Sequence, residues 1–185
     1  MTNFQAIQAE IESILPKSPL DFELVHSRLT LKWAMQIKPS ADEALKIAAI
    51  AHDIDRAITG ITEKDLDNYS KIDKFKQEHA DRSAQFISEI LQNHQYPIEI
   101  IEKVRHLVSR HETGGDEESN VLMSADSLAY FEYNIPSYLN RYGEERTKEK
   151  IKFMYNRLAP AAKELIGAIN FPDKYISSLV KKSII

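Results

Sequence analysis

Residues 48–57 read AAIAHDIDRA. Small apolar side chains surround an adjacent histidine and aspartate, as though the middle of a buried helix had been given two polar groups. An unpaired carboxylate is costly to bury, so Asp53 needs a cation or firm hydrogen bonds beside it. A metal ion meets that need if other ligands arrive from elsewhere in the chain.

The flanking sequence places this stretch in a helix. Ser40-Ala41-Asp42-Glu43 has capping-box spacing, with Ser40 as N-cap and Glu43 reaching back. The helix it opens, about 41–58, is apolar nearly all round between Ala44 and Ala51, which predicts a central position. Gly60 stops it.

Upstream, helices are predicted at about 3–15 and 20–37, closed by Pro16 and Pro39, with Val25, Leu29 and Trp33 on one face of the second. Downstream come a short turn at 62–68 and helices at about 72–92 and 98–110. A break at Gly114-Gly115-Asp116 precedes a helix at 119–131. Pro136 opens a short element that Gly143 interrupts, and 144–158, 160–169 and 172–182 complete the chain as helices. No segment alternates long enough for a strand, so the predicted class is all-α: one helical domain over 1–185, its motif-bearing core at about 21–131 and a C-terminal helical extension at about 135–185.

Composition agrees. The 185 residues are 43% hydrophobic and 28% charged, and five glycines with seven prolines are too few for a turn-rich β fold. A net charge of −4 argues against a nucleic acid polymer as partner while leaving small anionic substrates open. No apolar run reaches bilayer length, and the amphipathic N-terminus lacks a basic leader, so no membrane partner and a cytoplasmic setting are expected. Cysteine is absent, which removes disulfides and thiolate ligands. Oligomeric state is left open.

Histidine and carboxylate donors without sulfur suit Mn, Fe, Co, Ni or Zn, with Mg less favoured as imidazoles accumulate. His26 lies beside Val25 on the apolar side of its helix. Asp126, in VLMSADSLAYF, repeats the oddity of Asp53: a carboxylate among small apolar residues in mid-helix. One shared cation relieves both.

In that order, His26, His52-Asp53 and Asp126 resemble the HD-domain superfamily of metal-dependent phosphohydrolases. HSRLTLKWA is similar to its first-histidine helix, IAAIAHDIDRA to its HD helix and LMSADSLAYFE to its last-aspartate helix. The resemblance implies an HD-like helical bundle holding one divalent ion on these four residues. It also implies a second ion, bridged by Asp53, where two further histidines are present. EHADRSAQFISEIL supplies His79, and VRHLVSRHETGG supplies His111 or His106, His111 being favoured at the helix end before the glycine break.

The implied activity is hydrolysis, through a metal-activated water, of a phosphoester or phosphoanhydride in a nucleotide or other small phosphorylated metabolite. Arg56, three residues after Asp53, and Arg82, three after His79, are placed to offset charge on the phosphate. With Asp53 they make up the expected catalytic set. Tyr130, four after Asp126, is placed to hydrogen-bond that carboxylate. The alternatives are a di-iron oxygenase on the same ligands and a non-catalytic metal- or nucleotide-binding regulatory module. His94 is expected at the surface without a role.

Overall fold

A computed structural model describes residues 3–184, and among them the chain is helical throughout with no strand. The α-helices are α1 (Asn3–Ile14), α2 (Glu23–Ile37), α3 (Glu43–Ala51), α4 (Ile54–Thr59), α5 (Ile72–Asn93), α6 (Ile98–Ser109), α7 (Glu117–Ala129), α8 (Ile135–Arg157), α9 (Pro160–Glu164) and α10 (Lys174–Ser183). Short 3₁₀ turns at Leu15–Lys17, Glu63–Asp65, Tyr69–Lys71 and Leu165–Ala168 join or extend them.

Helix α3 is the axis of the bundle. Ala44, Leu45 and Ile47 to Ala51 are all buried, and the helix packs against α1, α2, α6 and α7. Four alanines among those residues let neighbouring backbones approach closely, so two further helices carrying polar side chains can be drawn into the centre. Asp42, not Ser40, is the N-cap: its carboxylate accepts from Leu45 N at 3.0 Å. Glu43 accepts instead from the Tyr96 hydroxyl at 2.6 Å.

The helix expected over 41–58 is broken at His52-Asp53. Asp53 takes φ −106° and ψ 14°, outside the helical well, and α4 restarts at Ile54. The break is chemically supported. The Asp55 amide donates to Ser83 Oγ of α5 at 3.2 Å, and Gly60 closes α4 in the left-handed conformation at φ 74°.

A second irregularity follows α7, where residues Tyr130–Asn134 form a π-helical turn before α8. Such single-turn bulges tend to occur at functional sites because they re-aim side chains without ending the helix. Helix α8 itself kinks at Gly143, whose φ of 79° and ψ of 176° only glycine adopts freely.

On α2 the buried face is not the Val25–Leu29 stripe, whose members are half-buried. It is Glu23, His26, Ser27, Thr30, Trp33 and Ala34. Four of those six are polar because this face is turned toward a polar centre. Ser27 donates to the Ile50 carbonyl at 2.6 Å, locking α2 onto α3 one turn from the doublet.

Candidate metal centre

Four imidazoles and two carboxylates converge where α2, the α3–α4 break, α5, the end of α6 and α7 meet. His26, His52, Asp53, His79, His111 and Asp126 are all between 0% and 7% exposed. Their donor atoms fall into two groups able to hold a metal ion, His26–His52–Asp53 and Asp53–His79–His111, with Asp53 common to both. Asp126 joins the first, its Oδ1 lying 3.1 Å from His26 Nε2 and 3.8 Å from His52 Nε2. In the second, Asp53 Oδ1 lies 2.8 Å from His79 Nε2 and 3.6 Å from His111 Nε2.

All four histidines are oriented alike. Nδ1 of His26 bonds Asn134 Oδ1 at 3.2 Å, that of His52 the Ala49 carbonyl at 3.0 Å, that of His111 the Val108 carbonyl at 2.8 Å and that of His79 Asp55 Oδ2 at 2.9 Å. An acceptor at Nδ1 fixes the proton there and leaves the Nε2 lone pair turned inward, which is how ligating imidazoles are prepared.

A cation fits this arrangement on two observations of the protein itself. Nε2 of His26 and of His52 face each other at 3.3 Å, so two lone pairs meet unless a positive charge lies between them. His111 Nε2 is buried without any hydrogen-bond partner among the described residues.

Charge distribution points the same way. Burial drives His52 down to about 4, keeping it neutral. Burial acts on His26 too, but the hydrogen bond and charge of Asp126 prevail and raise it. Asp53 and Asp126 are held well below the usual carboxylate range despite burial, chiefly by the guanidinium groups of Arg56 and Arg157 respectively.

The other residues that the sequence singles out divide sharply. Arg56 is at the site: it is paired with Asp53 and with Glu23 Oε1, the latter at 3.3 Å. Glu23, wholly buried, is pushed up to about 7 by its burial in spite of Arg56. Arg82 does not reach the donors. It is spent on Asp55, at 2.9 and 2.8 Å, and acts through that carboxylate on His79.

Tyr130 makes no bond to Asp126; its hydroxyl is buried without a partner among the described residues. His106 is exposed and bonded to Asp116 at 2.8 Å, which leaves His111 as the histidine of that pair at the centre. His94 is partly covered rather than free, with Glu10 accepting at 2.5 Å.

Several contributors lie beyond the expected set. Asn134, the last residue of the π-turn, is the one that meets His26, and nothing in the sequence signals a π-turn. Asp55 sits two residues past Asp53, where helical spacing would aim it elsewhere. Arg157, at the end of α8, donates to Asp126 Oδ2 at 2.9 Å and to the His111 carbonyl at 2.7 Å, and it pairs with Glu112 at 3.4 Å. It is one cation in a strongly charged helix, and only its depth distinguishes it.

Beside the donors opens a cavity of about 90 Å³, lined by His26, Asp53 and Asp126, by Arg56, Lys150 and Arg157, and by Phe22, Tyr138 and Tyr142. A single water needs roughly 10–15 Å³ of such space, so the cavity holds several small ligand groups.

What the fold and centre define is an all-helical protein with a buried, sulfur-free cluster of histidines and aspartates that could hold a metal ion. Within that class, the chain belongs to the family described as a domain of unknown function (DUF4202), whose sequence model matches residues 8–180. Comparisons with curated proteins and with solved structures return no match. No helix among the described residues is long and apolar enough to cross a membrane.

Proposed function

We propose that this protein is an HD-like, metal-dependent phosphohydrolase acting on a nucleotide or other small phosphorylated metabolite, in a cytoplasmic setting. The observation that carries the reading is the sharing of Asp53 between two three-residue donor groups. That arrangement suits two divalent ions, drawn from Mn, Fe, Co, Ni or Zn by the chemistry of the donors. His26, His52, Asp53 and Asp126 would hold the first, and Asp53, His79 and His111 the second. Divalent ions in such a pair polarise a phosphoryl oxygen and make a water acidic enough to attack near neutral pH.

The chain's own residues do the rest. Asn134, Asp55 and the carbonyls of Ala49 and Val108 hold the imidazoles in register. Arg56 keeps Asp53 ionised and stands beside the cavity, where it can meet charge that develops on the phosphoryl group.

Charge favours an anionic substrate over the dioxygen of the alternative reading. Arg56, Arg141, Lys150 and Arg157 face Asp53, Glu63, Glu112 and Asp126 across the cavity walls. These signs balance as they stand, so each divalent ion added tips the cavity positive. Phe22, Tyr138 and Tyr142 add aromatic rings to the lining, where an organic leaving group would lie.

The test is elemental analysis of gently purified protein, followed by hydrolysis assays over nucleotides and sugar phosphates with Mn, Fe, Co, Ni, Zn or Mg supplied. Stoichiometric divalent metal and turnover of at least one phosphoester are expected. Metal-replete protein that turns over none of them would move the reading to a regulatory module.

A further inference from the structure

Two residues that line the cavity each carry a buried hydrogen-bond donor that is unused among the described residues. The Tyr130 hydroxyl, on a residue 3% exposed, has no partner among the described residues. Neither has Arg157 Nε, although both terminal nitrogens of that guanidinium are engaged, with Asp126, Met154 and the His111 carbonyl. Lys150 adds a third donor: its ammonium approaches Glu63 no closer than 3.9 Å, beyond hydrogen-bond range.

The three come from different stretches of chain, the π-turn and two places on α8, and all line the same cavity as His26, Asp53 and Asp126. A buried donor without an acceptor is destabilising, so each one needs a reason to be kept, and a ligand that completes it is one such reason.

Resting on the phosphohydrolase reading, we infer that Tyr130, Lys150 and Arg157 form an oxyanion subsite that receives the non-bridging oxygens of the substrate's phosphoryl group beside the metal ligands. The chemistry matches donor for acceptor. A phosphoryl group presents several strong acceptors and no obligatory donor, while the subsite presents a hydroxyl, an ammonium and a guanidinium N–H. The Tyr130 ring is fixed for the task, packed edge-on against Phe131 and Tyr138 with centroids 5.9 and 6.1 Å away. Its hydroxyl stays protonated, because burial raises it well above the ordinary phenol value.

The test is calorimetric titration of inorganic phosphate into the full-length protein with its native metal content, comparing wild type with Tyr130→Phe and Lys150→Met. Losing one hydrogen bond to a charged acceptor should weaken phosphate roughly ten- to a hundredfold in Tyr130→Phe. Lys150→Met should shift it the same way, and bound metal should be unchanged in both. Because Tyr130→Phe only removes an unbonded hydroxyl, its thermal midpoint should hold or rise, so weaker phosphate binding would not reflect misfolding.

Wild-type affinity for phosphate in both variants would overturn the inference, as would failure of the wild type to bind phosphate at millimolar concentration. The two readings fail separately. Tyr130-dependent phosphate binding without hydrolysis of any ester would support the subsite and sink the hydrolase. Hydrolysis with phosphate affinity and kcat/KM unchanged in Tyr130→Phe would do the reverse.

Discussion

His26 and His52 point their Nε2 atoms at each other across 3.3 Å, and each has committed its other ring nitrogen to an acceptor. Without a metal ion, a proton on one of the two Nε2 atoms relieves the encounter of their lone pairs. Asp126 Oδ1, 3.1 Å from His26 Nε2, favours a proton on His26 and raises its affinity for one.

Metal and proton should therefore compete. In metal-loaded protein, lowering the pH through the raised values of His26 and His79 should release the ion, read as falling metal content after gel filtration. The metal-free protein should behave differently. Between about 4 and 6.5 the depressed His52 binds fewer protons folded than unfolded and weakens the fold as the pH drops, while Glu23, raised to about 7, binds more and opposes that loss. Above 6.5 the raised His26 and His79 bind more protons folded than unfolded, so stability falls as the pH rises. The decisive limb is therefore the alkaline one: midpoints after chelation should decline as the pH rises above about 7, and a flat or rising profile there would refute the assignment.

Among the described residues Asp53 is the side chain common to both donor groups, so Asp53→Ala should abolish bound metal while His79→Ala spares the first group. Metal-to-protein ratios, with helicity checked by circular dichroism, separate the two. Full metal retention in Asp53→Ala would end the case for the centre.

The residues behind the imidazoles should matter almost as much as the donors. Asn134→Leu leaves His26 Nδ1 without its acceptor, and Asp55→Asn weakens the grip on His79. Loss of such supporting bonds typically costs about 10–100-fold in metal affinity. Chelator competition would measure it, and unchanged affinity in Asn134→Leu would deny the π-turn its role.

How far the sequence foretells this architecture depends on the residue. Helix class, the central α3 and the places of His52 and Asp126 follow from apolar patterning, because a buried polar residue stands out against an apolar run. His26 does not, since its own face of α2 is mostly polar and the Val25–Leu29 stripe beside it is half-buried. His79 and His111 come only from the resemblance to the HD-domain superfamily, and the choice between His111 and His106 turns on where α6 ends. The break at Asp53 escapes a periodicity reading, since it depends on Ser83, a residue 28 positions from Asp55 along the chain. Asn134 escapes for the same reason: a π-turn is a tertiary accommodation with no local code. Arg82 misleads because i+3 spacing locates a side chain on a helix face, while its partner is decided by Asp55 from another helix.

Gly114 follows His111 by three residues with φ 66°, and a Cβ there would meet the Asn120 side chain, whose Oδ1 accepts from the Gly115 amide at 3.0 Å. Gly114→Ala thus combines left-handed strain with a clash. A loss of roughly 1–3 kcal/mol is expected in urea unfolding, with the second donor group weakened through His111. Gly60→Ala, with nothing within 4 Å of its added Cβ, carries the conformational strain alone and should cost less.

Arg56 and Arg82 stand at the same spacing from Asp53 and His79, yet the structure predicts unequal consequences. Arg56 is almost enclosed and joins Glu23 to Asp53, whereas the Arg82 side chain is 29% exposed on a single carboxylate. Arg56→Met strands Glu23, already raised to about 7, in the core. Removing one partner of a buried pair typically costs about 3–5 kcal/mol. Metal can take over the compensation of Asp53 but not that of Glu23, so adding metal should restore only part of the loss. Arg82→Met faces solvent and should cost about 1 kcal/mol or less, acting on metal affinity only through Asp55 and His79. Denaturant midpoints with and without metal measure both, and equal losses would contradict the division of roles between the two arginines.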